Sequence, residues 1–278
     1  MNKGSLLLVP SGGLANRMRA MVSAWQSCLR VNSRLQVVWF QGWGMHASFN
    51  DLFESIPEEK LKLREAQFWD YIVNDRPRRH NLWLPAIPQY LYYLGGGKNE
   101  LHIASLRDNG FNFDEWIRGH RRYMSCYDEF GKFPDKCYAE LFHPNRKVME
   151  IVNAYESLFS NYTIGMHIRR TDNIDSIQQS PTELFVEAGR REQAEHPNLT
   201  IFLATDSEEV KRHMRQEFGD RVITSTHEAS RDSVQGIREG LADMWTLSRT
   251  NRIYGSAGSS FSVMASRIGC NHLHICHK

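Results

Sequence analysis

The sequence predicts an α/β protein made of two Rossmann-like halves facing a cleft. Three observations carry that expectation. Over residues 5–40 a short apolar run, a glycine pair, a helical stretch and a second apolar run follow one another. Strand–helix–strand at this spacing is a βαβ unit, and a parallel sheet follows from it. From residue 146 onward, short apolar runs again alternate with amphipathic stretches, and three of those runs end in polar or glycine-rich loops at 169–173, 205–207 and 255–260. In a parallel sheet all three loops share the carboxyl edge, where open α/β folds bind ligands.

Taken in order, Leu6-Leu7-Leu8-Val9 is a short continuous apolar run, as in a strand covered on both faces. Pro10-Ser11-Gly12-Gly13 breaks it. Leu14 to Arg30 reads as a helix, with Leu14, Met18, Met21, Val22, Trp25 and Leu29 close to a 3.6-residue period. Strand, glycine loop and helix form a cradle in which backbone N–H groups and a helix N-terminus hold an anion, and Asn16 and Arg17 fall in the first turn beside it. The second strand runs from Leu35 to Phe40, and Phe49 to Ile56 predicts a short helix capped by Asn50 or Ser48.

Residues 58–144 carry no clear periodicity but many aromatics, and six of the seven tryptophans precede residue 120. Most of these rings read as core, while some could stack on sugar faces as an acceptor surface. Arg118 to Arg122 is a local basic cluster whose commonest meaning is a solvated face. His143-Pro144-Asn145 marks a break, which gives domains 1–145 and 146–278.

In the second half, Arg146 to Ser160 predicts a helix, and the strand Ile164-Gly165-Met166-His167-Ile168 follows. Alternation puts Ile164, Met166 and Ile168 on one face and Gly165, His167 and Arg169 on the other. Arg169, Arg170 and Asp172 crowd its carboxyl end. Adjacent guanidinium groups at a strand end call for an anion, most naturally a phosphate or diphosphate. The alternative is a solvated, salt-bridged turn. Further helices are expected from Pro181 to Glu195, with Ser180 as cap and Glu183 as its capping-box partner, from Ser207 to Phe218, from Ser233 to Ser248 and from Phe261 to Ile268. Strands are expected at 201–204, 221–224 and 252–255.

A net charge of +2 argues against a nucleic-acid binder. The five cysteines include no CxxC pair, so reduced thiols are expected rather than a disulfide framework or zinc site. The tail from Cys270 to His277 could hold a metal, but its alternation reads as a last strand. There is no apolar run of signal or membrane-span length, so the expectation is a cytoplasmic protein without a transmembrane segment.

Three motifs resemble one family. Gly12-Gly13-Leu14-Ala15-Asn16-Arg17-Met18 resembles the N-terminal GGLGNQ/R motif of fucosyltransferases. His167-Ile168-Arg169-Arg170-Thr171-Asp172 is similar to the HxRRxD motif of the alpha-1,6 and rhizobial nodulation enzymes, with related forms in the alpha-1,2 and protein O-fucosyltransferases. Ala204-Thr205-Asp206, Asp243 to Ser248, Ile253-Tyr254-Gly255 and Ser259-Ser260 resemble the C-terminal half of that family in order and spacing. Two departures stand out: Ala15 replaces a glycine, and Asn173 stands where the alpha-1,6 enzymes have lysine.

The resemblance implies a GT-B fold, GDP-fucose as co-substrate, inversion at the anomeric carbon, no metal and no further cofactor. The chain contains no Asp-x-Asp triplet, which agrees with a metal-free site. By the resemblance Arg169 contacts the β-phosphate, Arg170 belongs to the same donor site, Ser259 and Ser260 add hydrogen bonds to phosphate, and His167 and Asp243 lie at the guanine. Gly12, Gly13, Asn16 and Arg17 line the donor from the first half, and Asp206 holds its loop in place, with a plain helix-entry aspartate as the alternative. Asp172 is the candidate general base, with a salt bridge to Arg17 or Arg170 as the alternative. Asp243 has the alternative of a solvated helix aspartate. The acceptor would be a glycan or glycolipid. The rivals to a fucosyltransferase are a transferase using another nucleotide sugar and a non-catalytic GDP-sugar-binding protein.

Overall fold

The computed structural model describes residues 3–42, 45–75, 95–171, 174–225 and 233–278, without the side chain of Asp175. They fall into two compact units, Met1–His143 and Pro144–Lys278.

The N-terminal unit contains β1 (Ser5–Pro10), α1 (Leu14–Arg30), β2 (Arg34–Trp39), β3 (Lys62–Glu65), α2 (Asp70–Val73), α3 (Glu100–Asp108), α4 (Phe113–Ile117), β4 (Arg121–Cys126) and α5 (Lys136–Leu141). Its four strands are parallel in the order β3-β2-β1-β4. Ser5 stands opposite both Arg34 and Arg121, so β1 is interior. The chain steps outward from β1 to β3 and then returns to the other side of β1. The topological switch point therefore lies between β1 and β4, and Ser11 N–H bonds to Cys126 O there at 2.8 Å. Val9, Val38, Phe40 and Tyr123 form a core cluster on one face of the sheet.

Phe49 begins only a 3-10 turn, Phe49–Asp51, where the sequence predicts a helix to Ile56. Ser48 is the cap, and Asp51 completes a reciprocal capping box. The turn stops because Glu54 N–H is drawn to His143 O at 2.8 Å and Phe49, Phe53 and Phe142 pack in series. Trp83, Tyr90, Tyr92 and Tyr93 of the aromatic-rich stretch lie outside the described residues.

The C-terminal unit contains α6 (Arg146–Glu156), β5 (Thr163–Ile168), α7 (Ile174–Gln179), α8 (Thr182–Glu195), β6 (Thr200–Thr205), α9 (Glu208–Phe218), β7 (Val222–Thr224), α10 (Val234–Leu247), β8 (Arg252–Ser256), α11 (Ser260–Gly269) and β9 (His272–Cys276). Its five parallel strands run β7-β6-β5-β8-β9, with the switch point between β5 and β8. Every residue of β5 is buried. Ile164, Met166 and Ile168 join Phe185 and Val186 of α8 and Val210, Met214 and Phe218 of α9 in one core. The other face meets α10: a Cβ on Gly165 would fall 2.7 Å from Leu247 Cδ2 and 2.8 Å from Thr250 Oγ1. Only glycine admits that approach. The histidine-rich tail forms strand β9.

Ser180 does not cap α8. Pro181 holds the cap position, and the Ser180 hydroxyl instead accepts Ala257 N–H at 2.8 Å. The tertiary partner outcompetes the local cap. Among the described residues no helix is long and apolar enough to cross a membrane.

Candidate functional site

The carboxyl end of β5 delivers His167, Arg169 and Arg170 to the switch point of its sheet. Asp206, just past β6, organises the loop that follows. Its Oδ1 accepts Arg170 N–H at 2.7 Å, and its Oδ2 accepts Thr171 N–H at 3.3 Å and Thr171 Oγ1–H at 2.7 Å. Arg169 Nε lies 3.7 Å from the same Oδ2. From the other side Ser256 Oγ accepts Arg169 N–H at 3.1 Å and donates to His167 O at 3.3 Å. Thr205 Oγ1 donates to Ile168 O at 2.7 Å. Strands β6 and β8 thus fix the backbone on both flanks of the two arginines.

Arg170 is turned away from its neighbour. Its guanidinium donates to Arg169 O at 2.7 Å, Ser180 O at 2.7 Å and Thr182 Oγ1 at 2.9 Å. That geometry ties the loop to the start of α8. The Arg169 backbone is instead held from both sides, with its guanidinium beside the Asp206 carboxylate.

His167 is only 5% exposed. Its ring stacks on Phe261 at 4.6 Å and 24°, and Nδ1 lies 3.4 Å from Ser259 Oγ. Burial first, and the positive charge of Arg169 second, push its pKa down to about 3, against the opposing pull of Asp206. The imidazole is neutral at physiological pH and serves as a hydrogen-bonding surface rather than a charge. Ser259 precedes α11 but makes no cap bond, so the first N–H groups of that helix have no side-chain cap. Together with Arg169 they give this edge the polarity that a phosphate requires.

Asp243 sits in α10 in a different setting. The sequence alone allows a solvated aspartate, yet Oδ1 is shut off from water with no hydrogen-bond partner. Burial raises its pKa to about 7, with Lys211 pulling it down and Glu239 pushing it up. Tyr155, beside it, is pushed up to about 12 by burial and by the same two acids. A buried acceptor left without a donor costs roughly 1–3 kcal/mol. Its charged neighbours, Lys211 and Glu239, are not those of His167, which are Arg169 and Asp206.

In the N-terminal unit the glycine loop lies at the switch point. Gly12 has φ +76°, and a Cβ there would approach Asn16 Nδ2 to 2.9 Å, so both conformation and space favour glycine. Gly13 holds the N-cap of α1 without a side-chain bond. Asn16 Oδ1 accepts Arg19 Nη2–H at 2.7 Å. Arg17 departs from expectation. It is 2% exposed, donates to Gly12 O at 2.9 Å and Phe40 O at 2.7 Å, and lies over the Trp39 ring at 4.6 Å. It shapes the loop from beneath rather than presenting charge to an anion.

Asp172 lies outside the described residues. Ser260 is half-buried at the first position of α11. The residues that sequence reasoning missed are Thr171, Ser256 and Phe261, which position the loop and the histidine, and the Ser11–Glu100 hydrogen bond of 2.5 Å beside the glycine loop. Ser256 and Phe261 border the small-residue loop already singled out. Nothing local marks Glu100.

No family model and no curated protein matches the sequence. Solved structures do. The chain superposes on the fucosyltransferase NodZ from Bradyrhizobium with a TM-score of 0.65 at 16% identity, covering 95% of this chain and 92% of that one. A point mutant of Arabidopsis thaliana FUT1 in complex with GDP gives 0.67 at 14% identity, covering 99% and 70%. POFUT1 in complex with GDP-fucose gives 0.60 at 9% identity, covering 98% of each chain. At such identities the likeness is one of fold: the chain has the α/β, GT-B-like fold of the fucosyltransferases, with a parallel sheet in each unit.

Proposed function

We propose that this protein transfers L-fucose from GDP-fucose to a hydroxyl of a glycan or glycolipid, with inversion and without a metal. The observation that carries the reading is Arg169, held at the β5–β8 switch point between Asp206 and Ser256 and beside the uncapped start of α11. The fold shared with enzymes solved with GDP and GDP-fucose supports it.

In the proposed reaction the acceptor oxygen attacks the anomeric carbon while the bond from that carbon to the β-phosphate oxygen breaks. GDP leaves, and the acceptor proton passes to a carboxylate, for which Asp172 is the candidate. Charge developing on the leaving diphosphate is met by Arg169, whose planar fork suits two phosphate oxygens, and by the N–H groups and hydroxyls at Ser259 and Ser260. Arg170 and Asp206 hold that loop. Asp243 accepts from the guanine N1–H and N2–H₂, and His167 supports the base as a neutral ring. Gly12, Gly13 and Asn16, with Arg17 shaping their loop, are the candidate donor contacts of the N-terminal unit. The N-terminal unit would take the acceptor and the C-terminal unit the nucleotide sugar.

Calorimetric titration with GDP, ADP, UDP and GDP-fucose in EDTA tests the donor assignment. GDP-selective binding that survives EDTA and weakens by roughly 30-fold or more in Arg169→Ala is expected from loss of a charged contact of about 2–3 kcal/mol. Binding without guanine preference, or binding that needs a metal, refutes the assignment.

A further inference from the structure

The aromatic side chains of the N-terminal unit divide into two kinds. Phe113, Tyr123, Phe130, Tyr138 and Phe142 are buried, whereas Phe68 is 73% and Trp69 is 69% exposed. The two exposed rings meet edge to face at 5.4 Å and 75°. They follow directly on β3, so they stand on the carboxyl edge of the sheet, the edge that also carries the glycine loop. Two strand spacings of about 4.8 Å separate β3 from β1, so the end of β3 lies roughly 10 Å across the edge from the end of β1.

Their loop is firmly tied. Asp70, 4% exposed, accepts from both terminal nitrogens of Arg64 at 2.5 and 2.6 Å, from Gln67 N–H at 2.7 Å and from Asn74 Nδ2 at 2.6 Å. Those bonds, Arg64 first, hold its carboxyl down to about 2. Ala66 N–H bonds to Trp39 O at 2.8 Å, and Tyr71 packs edge to face on Phe40 at 5.0 Å. Exposed loop residues are ordinarily small and polar. Here a buried acid and its partners hold two large rings in water, which exposes apolar surface without giving the loop freedom in return.

The size and rim of the patch select its occupant. At about 70% exposure the two rings offer roughly 200–350 Å², well short of the ~800 Å² per partner that a stable protein interface buries. The surroundings are mixed: Gln67 and Arg64 are exposed and the Tyr71 hydroxyl lies at Gln41 O, while Tyr71 and Val73 are each 37% exposed. An apolar face of C–H groups ringed by hydroxyls matches this surface, with the C–H groups against the negative ring face and the hydroxyls against the rim. We propose that Phe68 and Trp69 form a platform for a pyranose ring of the acceptor, which makes the acceptor a glycan bound on the N-terminal unit. The inference rests on the transferase reading for the word acceptor and on the loop geometry for the word platform.

The test uses the full chain on an array of defined oligosaccharides, with Phe68→Ala, Trp69→Ala and Trp69→Tyr beside the native protein, and GDP calorimetry on all four. Thermal denaturation of the same proteins checks the fold, which surface truncation at these positions leaves intact. The native protein should retain a subset of glycans, Trp69→Ala should bind them roughly tenfold more weakly, and Trp69→Tyr should keep most of the affinity. GDP binding should be equal in all four. Native protein that retains no glycan overturns the platform, as do variants that bind glycans equally well. A native dimer that Trp69→Ala dissociates also overturns it, by making the pair a subunit contact. Glycan binding lost in Trp69→Ala by a protein that ignores GDP supports the platform and removes the donor reading instead.

Discussion

The two units follow one plan and treat charge in opposite ways. In each, an interior strand ends at a topological switch point and an arginine stands just beyond it. In the N-terminal unit Arg17 is driven inward, bonded to Gly12 O and Phe40 O under the cover of Trp39. In the C-terminal unit Arg170 goes inward in the same manner, but Arg169 beside it is held by Asp206 and Ser256 at the edge. A single arginine is spent on the loop's shape. In the pair, Arg170 ties the loop to the start of α8 while Arg169 lies beside the Asp206 carboxylate at the strand end.

The largest effect expected from this contrast is on stability. Arg17→Ala should cost about 3 kcal/mol, because it strands buried carbonyls and uncovers Trp39, whereas Arg169→Ala, whose partner Asp206 lies 3.7 Å away, should cost less, about 1–2 kcal/mol. Urea denaturation followed by tryptophan fluorescence is suited to the measurement, since six of the seven tryptophans precede residue 120. Equal losses in the two variants would break the comparison. Next in size, Asp206→Asn removes a charge that serves three donors of the 169–171 loop and should weaken GDP binding about tenfold with a stability loss of about 1–2 kcal/mol. A variant that destabilises the chain but leaves GDP binding untouched would show that the loop has no part in the site.

The smallest effect concerns pH. Asp243 titrates near 7 when folded against 3.8 ordinarily, so between those values the folded state holds a proton that the unfolded state has released. Its contribution therefore makes stability fall as pH rises from about 4 to about 7. Asp243→Asn should gain about 1–2 kcal/mol at pH 8 and nothing near pH 4. Because the ionised carboxylate is the better acceptor for guanine, GDP affinity should rise from pH 6 to pH 8 in the native protein and stay flat in the variant. A slope that persists in Asp243→Asn would assign the titration elsewhere. His167 acts with the opposite sign: its pKa is lowered to about 3, so its contribution is complete above about 6.5 and is lost as pH falls toward 3.

Most of the C-terminal unit was legible because β5, β6 and β8 are buried runs of five or six residues separated by amphipathic helices. The middle of the N-terminal unit was not. Strand β3 is the half-exposed edge Lys62-Leu63-Arg64-Glu65, and β4 opens with two arginines, so neither reads as apolar. Helix α2 has four residues and no room for a period. At the site, residue types were readable and directions were not. The short strand motif announced Arg169 and Arg170 as a pair, but only the packing of Ser180 and Thr182 shows that Arg170 faces away. Asp243 lies off the apolar stripe of its helix, and its burial comes from neighbours on other elements, which no local pattern encodes.

The interior position of β1 also has a consequence for how the chain becomes a protein. Ser5 meets Arg34 early, but its other neighbour, Arg121, is synthesised long afterward. Strand β5 likewise gains β6 before β8. Closing a long loop is entropically slow, so in each sheet the seam that runs through the switch point is the later of the two around the central strand to zip. Until it does, an apolar strand presents an open edge, the form in which nascent chains pair with the wrong partner. The glycine loop and the paired arginines take shape at those late seams, and in the C-terminal sheet β9 still has to add to β8 afterward.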